Sequence, residues 1–181
     1  KGEFAMFNKI CSCLESNKIL YQSVEHGELT SSAMLVEMLS RSMGSQIDLG
    51  QGAKSMLTVA SSSDGTSTSE IYTLVVLPGD ESLDFKELSR LLGTSIKKTK
   101  LASPEKVEEL TGCKVRTVPP LALFPNKNIS LWVDHSFVNK NKTRPIFFTP
   151  GRLDRSIFLK LEDFIQLTLP KHRRCHKKSC D

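Results

Sequence analysis

Long apolar runs are missing from this sequence. Tyr72–Leu77 is among the longest, far short of the roughly 20 residues that a membrane-spanning helix needs. No charged segment followed by an apolar stretch opens the chain, so neither a membrane partner nor a secretory leader is expected. Histidine is scarce, with four residues in 181, namely His26, His135, His172 and His176. None of them stands with a serine and a carboxylate in a way that reads as a nucleophile with its base. The five cysteines are odd in number and, in a chain of this size, exclude a disulfide framework. A reducing compartment is expected, with the cytoplasm as the default. Cys11 and Cys13 lie two apart in a helical stretch, point in different directions and do not make a redox pair. No internal repeat is visible, and the sequons at Asn128 and Asn141 bear only on a secreted protein.

What is present fits one domain. With 39% hydrophobic residues, 181 residues can bury a sizeable core without disulfide or metal staples. Lys and Arg number 25 against 20 Asp and Glu, but Lys171 to Asp181 hold five of the basic residues and one of the acidic ones. The body is therefore close to neutral at 20 against 19, and the basicity is a tail, "KHRRCHKKSCD", able to attract phosphates. The expected organisation is a folded unit over 5–169 followed by a basic, disordered tail over 170–181. His172, Cys175, His176 and Cys180 could ligate zinc, but their spacing is not that of a finger, so no metal site is expected. The opening "KGEF" lacks a Met and reads as a cloning remnant, with the natural start cut away.

Periodicity predicts the elements. Met6, Phe7, Ile10 and Leu14 share one helical face within Ala5–Glu15, and Leu20–Glu25 reads as a strand. "LTSSAMLVEMLSRSMG" reads as a helix capped by Thr30 or Ser31 and stopped by Gly44, with Met34, Leu35, Met38 and Leu39 as a core stripe. Two strands, "KSMLTVA" and "EIYTLVVLP", flank a Ser- and Gly-rich hairpin loop. A helix from about Asp84 ends at Gly93. Another, from Pro104 to Leu110, has Ser103 as its cap and stops at Gly112. "ISLWVD", "PIFFT" and "SIFLK" read as short strands, and Leu161 to about Leu167 as the last helix. His26 and His135 fall in turns. Strands and helices interleave without a regular β-α-β rhythm, which favours an α/β fold of the α+β type, a mixed sheet with helices packed around it.

The fragments "GAKSML", "VVLPGD", "LTGCKVRTVPP" and "VDHSF", in this order and followed by "GRLDRSIFLKLEDF", resemble the YbaK/ProX family of aminoacyl-tRNA deacylases over about Leu20 to Leu167. The resemblance implies a barrel-like mixed sheet surrounded by helices, and hydrolysis of the ester of mischarged tRNA, often tRNA for proline carrying alanine or cysteine. Aminoacyl-tRNA is the implied partner, with prolyl-tRNA synthetase or another synthetase beside it. It implies no cofactor. "VRTVPP" takes the place of a GxxxP turn whose backbone N–H groups meet a developing oxyanion, so Val115, Arg116, Thr117, Val118, Pro119 and Pro120 are candidate catalytic positions. Arg116 stands where the family has its first glycine. If the turn uses positive φ there, arginine costs on the order of 1 to 2 kcal/mol. Either the loop takes another shape, or Arg116 points outward and binds a tRNA phosphate.

Lys54 is the second candidate, as the cation that polarises the carbonyl or holds the terminal adenosine or its phosphate. Its plain alternative is a solvated lysine. The resemblance adds Asp134, His135, Gly151 and Ser156 as substrate-side positions, Ser156 standing where some members carry a carboxylate. Arg116 with Lys171, Arg173, Arg174, Lys177 and Lys178 forms the candidate nucleic-acid contact. Cys113 beside the loop is either a thiol nucleophile or a small packing residue. Two functions follow: an editing hydrolase, or a tRNA- or synthetase-binding module that lost its chemistry with the Arg116 and Thr117 replacements.

Overall fold

Residues 2–29, 31–63, 68–93, 96–126 and 128–168 are described by the computed structural model. Its longest feature is the hairpin of β2 (Ala53–Ser63) and β3 (Thr68–Pro78), antiparallel from Ala53↔Pro78 to Ser63↔Thr68. On one side β4 (Ile96–Leu101) pairs antiparallel with β2, and on the other β5 (Ser130–Val133) runs parallel to β3. A second sheet has the order β1-β7-β6, with β1 (Tyr21–Glu25), β6 (Pro145–Phe148) and β7 (Arg155–Lys160) all antiparallel. One parallel bridge, Gly52↔Phe147, joins the two sheets. This is the mixed, barrel-like arrangement expected, built as two sheets meeting at a seam.

Among the described residues six α-helices surround them: α1 (Gly2–Ser16), α2 (Ser32–Met43), α3 (Phe85–Leu92), α4 (Pro104–Thr111), α5 (His135–Lys140) and α6 (Leu161–Thr168). The caps read from sequence are in place. Ser31 and Ser103 accept first-turn N–H groups, Asp84 does the same where α3 was expected to begin, and Gly44 and Gly112 close their helices at φ 62 and 71. Thr30, the other cap candidate, and the whole of 169–181 lie outside the described residues. Within the described residues, no helix is long and apolar enough to cross a membrane.

Strand alternation distributes the core. Leu74 and Val76 face the main cluster with Ile10, Leu14, Phe148 and Phe164, while Val75 and Leu77 face Leu88 of α3. In the same way Ile146 and Phe148 enter the main cluster, and Phe147 turns to Phe158, Val24, Ile47 and Leu39 of α2. Cys113 is buried in the main cluster, the packing role of its two readings.

The α2 stripe is a correction. Only Leu39 is buried, Leu35 and Met43 pack beside it, and Met34 and Met38 are 49% and 37% exposed. The helix touches the body along i, i+4, i+8, a narrower strip than the expected stripe. Two elements were not expected. The β4 segment "IKKTKL" carries lysines suited to an edge strand and lacks apolar alternation. His135, expected in a turn, opens α5, whose cap is Asp134 accepting from Ser136 N–H at 2.7 Å. Asn141 at the end of α5 is fully buried and donates to the carbonyls of Gly50 and Phe137, both at 2.9 Å, so it is a structural bracket.

The seam depends on close backbone contact. Gly79 N–H donates to Leu49 O at 3.1 Å and Gly52 O at 2.9 Å, and a Cβ on Gly79 would lie 2.6 Å from that Leu49 oxygen. Gly79→Ala is expected to destabilise the fold by roughly 1–3 kcal/mol, because backbone must shift to admit the methyl group. A lowered urea midpoint at unchanged slope checks this, and an unchanged midpoint refutes it.

Candidate active site

The proline-rich loop begins where α4 ends. Thr111 Oγ1 donates to Val107 O at 2.7 Å and accepts from Cys113 N–H at 3.1 Å, which fixes the exit of the chain. The next four residues form a turn. The Lys114 carbonyl accepts from Thr117 N–H at 3.0 Å and from Thr117 Oγ1 at 2.9 Å. Arg116, third in that turn, has φ 73, the left-handed value for which such a position ordinarily uses glycine. The turn therefore keeps the glycine-type backbone with arginine in place, at a cost of roughly 1–2 kcal/mol. Surrounding bonds hold it. Thr117, only 1% exposed, accepts at its carbonyl from Gly151 N–H at 3.0 Å, and Gly151 itself has φ 85.

Lys54 sits at the start of β2, half-buried, its ammonium donating to the carbonyl of Glu81 and reaching that of Gly79 at 3.5 Å. The carbonyls come from the turn after β3, where Glu81 N–H donates to Pro78 O at 3.0 Å. From α5, Lys140 Nζ lies 2.7 Å from the Glu81 carboxylate, and Ser136 Oγ donates to it at 2.8 Å. Lys140 first, and Ser136 second, hold the Glu81 carboxyl below the usual glutamate range, against the opposing effect of burial. Sequence reading missed Glu81, since its role runs through a backbone carbonyl that has no residue signature.

Both features border one cavity of about 240 Å³ at the seam between the sheets. Lys54, Arg116 and Val118 line it, with His26 and Thr149 on other walls and Leu35 and Phe148 supplying apolar surface. No carboxylate is found among its described lining residues. Within the described residues the Arg116 guanidinium has no hydrogen-bond or ion-pair partner, and Val118 N–H makes no hydrogen bond. α2 brings its first turn, the positive end of its dipole, to the rim through Ser31 and Ser32. His26 is fully engaged. Its Nδ1 lies 2.7 Å from Gly27 O, which only accepts, so the neutral ring carries its proton there and Nε2 accepts from Ser156 Oγ at 3.0 Å.

The sequence model of the aminoacyl-tRNA editing domain matches residues 30–167. The chain belongs to that family. Two relatives, both named multifunctional Ser/Thr-tRNA deacylase ProXp-y, come from Escherichia coli strain K12 and Escherichia coli O157:H7. Each is 31% identical over 123 residues, 68% of this chain and 68% of the relative. Among solved structures, the hypothetical protein APE2540 superposes with TM-score 0.65 at 22% identity, covering 88% of this chain and 93% of that one. A putative trans-editing enzyme for prolyl tRNA synthetase gives TM-score 0.63 at 21% identity, covering 90% and 91%. At these identities the solved structures speak for the fold alone.

Within this editing-domain fold the candidate positions separate by depth. Lys54, Arg116 and Val118 reach the cavity; Thr117, Pro119 and Pro120 are buried behind it, and Val115 is exposed. Ser156 stands one hydrogen bond behind His26, and Gly151 one behind Thr117. Asp134 and His135 are exposed at the start of α5 and are not among the cavity's lining residues. Lys171, Arg173, Arg174, Lys177 and Lys178 lie outside the described residues.

The Glu81 bracket gives a pH test. Its folded-state pKa is depressed, so the stability it contributes is present above the ordinary glutamate pKa and is lost as pH falls through the folded value. The parent is expected to exceed Glu81→Gln in stability at neutral pH and to lose that margin below about pH 4. Urea midpoints over a pH series read it, and a margin that does not change with pH would remove the carboxylate from this account.

Proposed function

We propose that this editing-domain protein hydrolyses the ester linking a small amino acid to the end of a mischarged tRNA. The observation that carries the proposal is the seam cavity, which Lys54 and Arg116 line together with Val118 and with no carboxylate among its described lining residues. Water attacks the carbonyl carbon, the carbonyl oxygen takes up the negative charge, and the bond to the ribose oxygen then breaks, releasing the free amino acid. In this reading Val118 N–H donates to that oxygen, its backbone held by the turn ahead of it and the two prolines after it. Lys54, steadied by the Gly79 and Glu81 carbonyls, anchors the terminal adenosine or its phosphate and biases the field toward the oxyanion.

Sieving by size is how such a site rejects the correct amino acid. The cavity, about 240 Å³, has room for a small side chain together with the ester that carries it. The finer reading is tRNA for proline carrying alanine or another small amino acid. The relatives' naming for serine and threonine supports small side chains in general. Residues 5–169 act as the editing unit, and the basic residues of 170–181 add phosphate contacts to the tRNA. Prolyl-tRNA synthetase or another synthetase is the partner that would supply the substrate. The free thiols Cys11, Cys13 and Cys113 fit a reducing, cytoplasmic setting. The alternative, a binding module without chemistry, needs a loop that has lost its shape. The left-handed φ of Arg116 argues against that loss.

Deacylation of tRNAs charged with alanine, serine, cysteine and proline tests the reading. Lys54→Ala is expected to fold as the parent does and to lower the single-turnover rate at least about tenfold, equivalent to roughly 1.4 kcal/mol of transition-state binding. A variant as fast as the parent would remove Lys54 from the mechanism. Arg116→Gly relieves the backbone strain, so its melting temperature should not fall below the parent's. Loss of one phosphate contact should weaken tRNA binding and flatten the log K against log salt slope by about 1. Unaltered affinity at low salt would show that Arg116 touches no phosphate.

A further inference from the structure

A second cavity, of about 480 Å³, opens along another face of α2. Ser32 and Leu35 line the seam cavity, whereas Ala33 and Val36, each one position further on, line this groove. The two spaces are neighbours, with Leu49 in the wall of both. Ala33, Val36, Ile47 and Leu49 give the groove apolar surface. Its charged groups form two pairs, Lys140 of α5 with Asp80 at 3.1 Å, and Arg144 with Asp48. Both carboxylates converge on Gly50, where a Cβ would lie 3.0 Å from Asp48 Oδ1 and 3.5 Å from each Asp80 oxygen. The missing side chain keeps that space open.

Two cations against two carboxylates leave the described lining without net charge, so its field does not favour a bare phosphate. What the groove offers is a pattern of donors and acceptors beside apolar surface. Two carboxylates flank one open space, and each is backed by a cation. A flat base fits this pattern if its exocyclic amine has a ring-nitrogen acceptor on either side: one N–H donates to each carboxylate, and the cations donate to the ring nitrogens. Of the four RNA bases only adenine carries its amine between two such acceptors. Apolar side chains can cover the faces of a base read at its edge. An ester in the seam cavity is bonded to the ribose of the last nucleotide, so the base of that nucleotide must lie next to the cavity, where the wall shared at Leu49 puts the groove. We propose that the groove between α2 and α5 binds the terminal adenine of a charged tRNA while the aminoacyl ester occupies the seam cavity. The proposal rests on the deacylase reading and adds to it a site for the base.

The experiment uses RNA hairpins that carry a non-hydrolysable 3′-alanylamide on a terminal adenosine or on a terminal inosine, in which a carbonyl replaces the amine. Binding is measured to the full chain, to Gly50→Ala and to Ala33→Trp. The methyl group of Gly50→Ala meets first the tip of the Asp48 side chain, and Gly50 is not among the glycines of positive φ, so the fold should be kept. Ala33→Trp fills the groove from an exposed position of α2. The parent is expected to prefer the adenosine hairpin by about tenfold, and both variants to bind the two hairpins within about twofold of each other. Equal affinity of the parent for the two hairpins overturns the proposal. So does a folded Gly50→Ala variant that keeps the parent's preference; should that variant not fold, the same result with Ala33→Trp overturns it. Hydrolysis of alanyl-tRNA is followed in parallel. Turnover without a preference for the adenosine hairpin overturns the adenine site alone, and that preference without turnover of any charged tRNA overturns the deacylase reading alone.

Discussion

Two glycines allow three backbone segments to meet at the seam between the sheets. Gly79 donates to Leu49 O and Gly52 O, and Gly52 bridges to Phe147, so the turn after β3, the segment before β2 and the end of β6 lock together. A side chain at Gly79 would enter the Leu49 carbonyl, and one at Gly52 would meet the Phe147 ring at 2.9 Å. The Lys54 side of the candidate site hangs from this contact. It fixes the start of β2, hence Lys54, and the turn whose carbonyls hold the Lys54 ammonium. It also sets the edge of the cavity, because Gly52, Gly79 and Phe147 are part of its wall.

The second constraint is a strained turn kept in place by its neighbours. Arg116 adopts a φ natural to glycine, while the Lys114 carbonyl and the Gly151 N–H hold Thr117 on the far side of it. Strain of this kind persists only where the surroundings over-determine the backbone, and such places cluster at working sites. The result is a cation without a partner among the described residues on the lining, beside a backbone N–H without one. Against a protein wall such groups act on an ester oxygen more strongly than they would in bulk solvent.

Function and fold also meet through charge placed at a distance. Lys140 and Ser136 of α5 hold the Glu81 side chain, and the Glu81 main chain holds Lys54. α5 thereby reaches the site without lining it. That explains why Asp134 and His135, which resemblance set on the substrate side, cap and open this helix at an exposed position while their neighbour Ser136 supports the turn that carries Lys54.

Sequence by itself determined the local elements and the family. The caps at Ser31, Asp84 and Ser103 and the stops at Gly44 and Gly112 rest on short-range geometry, which a few adjacent residues settle. Ordered fragments such as "GAKSML" and "LTGCKVRTVPP" sufficed to indicate the editing family and its mixed sheet. Tertiary structure alone decided the rest. Burial of the α2 stripe stopped at Leu39 because only a narrow strip meets Phe147 and Phe158. β4 forms because β2 offers it an edge, and its own sequence gives no apolar alternation. The glycine-like φ at Arg116 and the pairing of Asp80 with Lys140 depend on bonds to residues far away in the chain. Such long-range satisfaction of polar groups leaves no periodic mark in sequence, so only the folded chain reveals it.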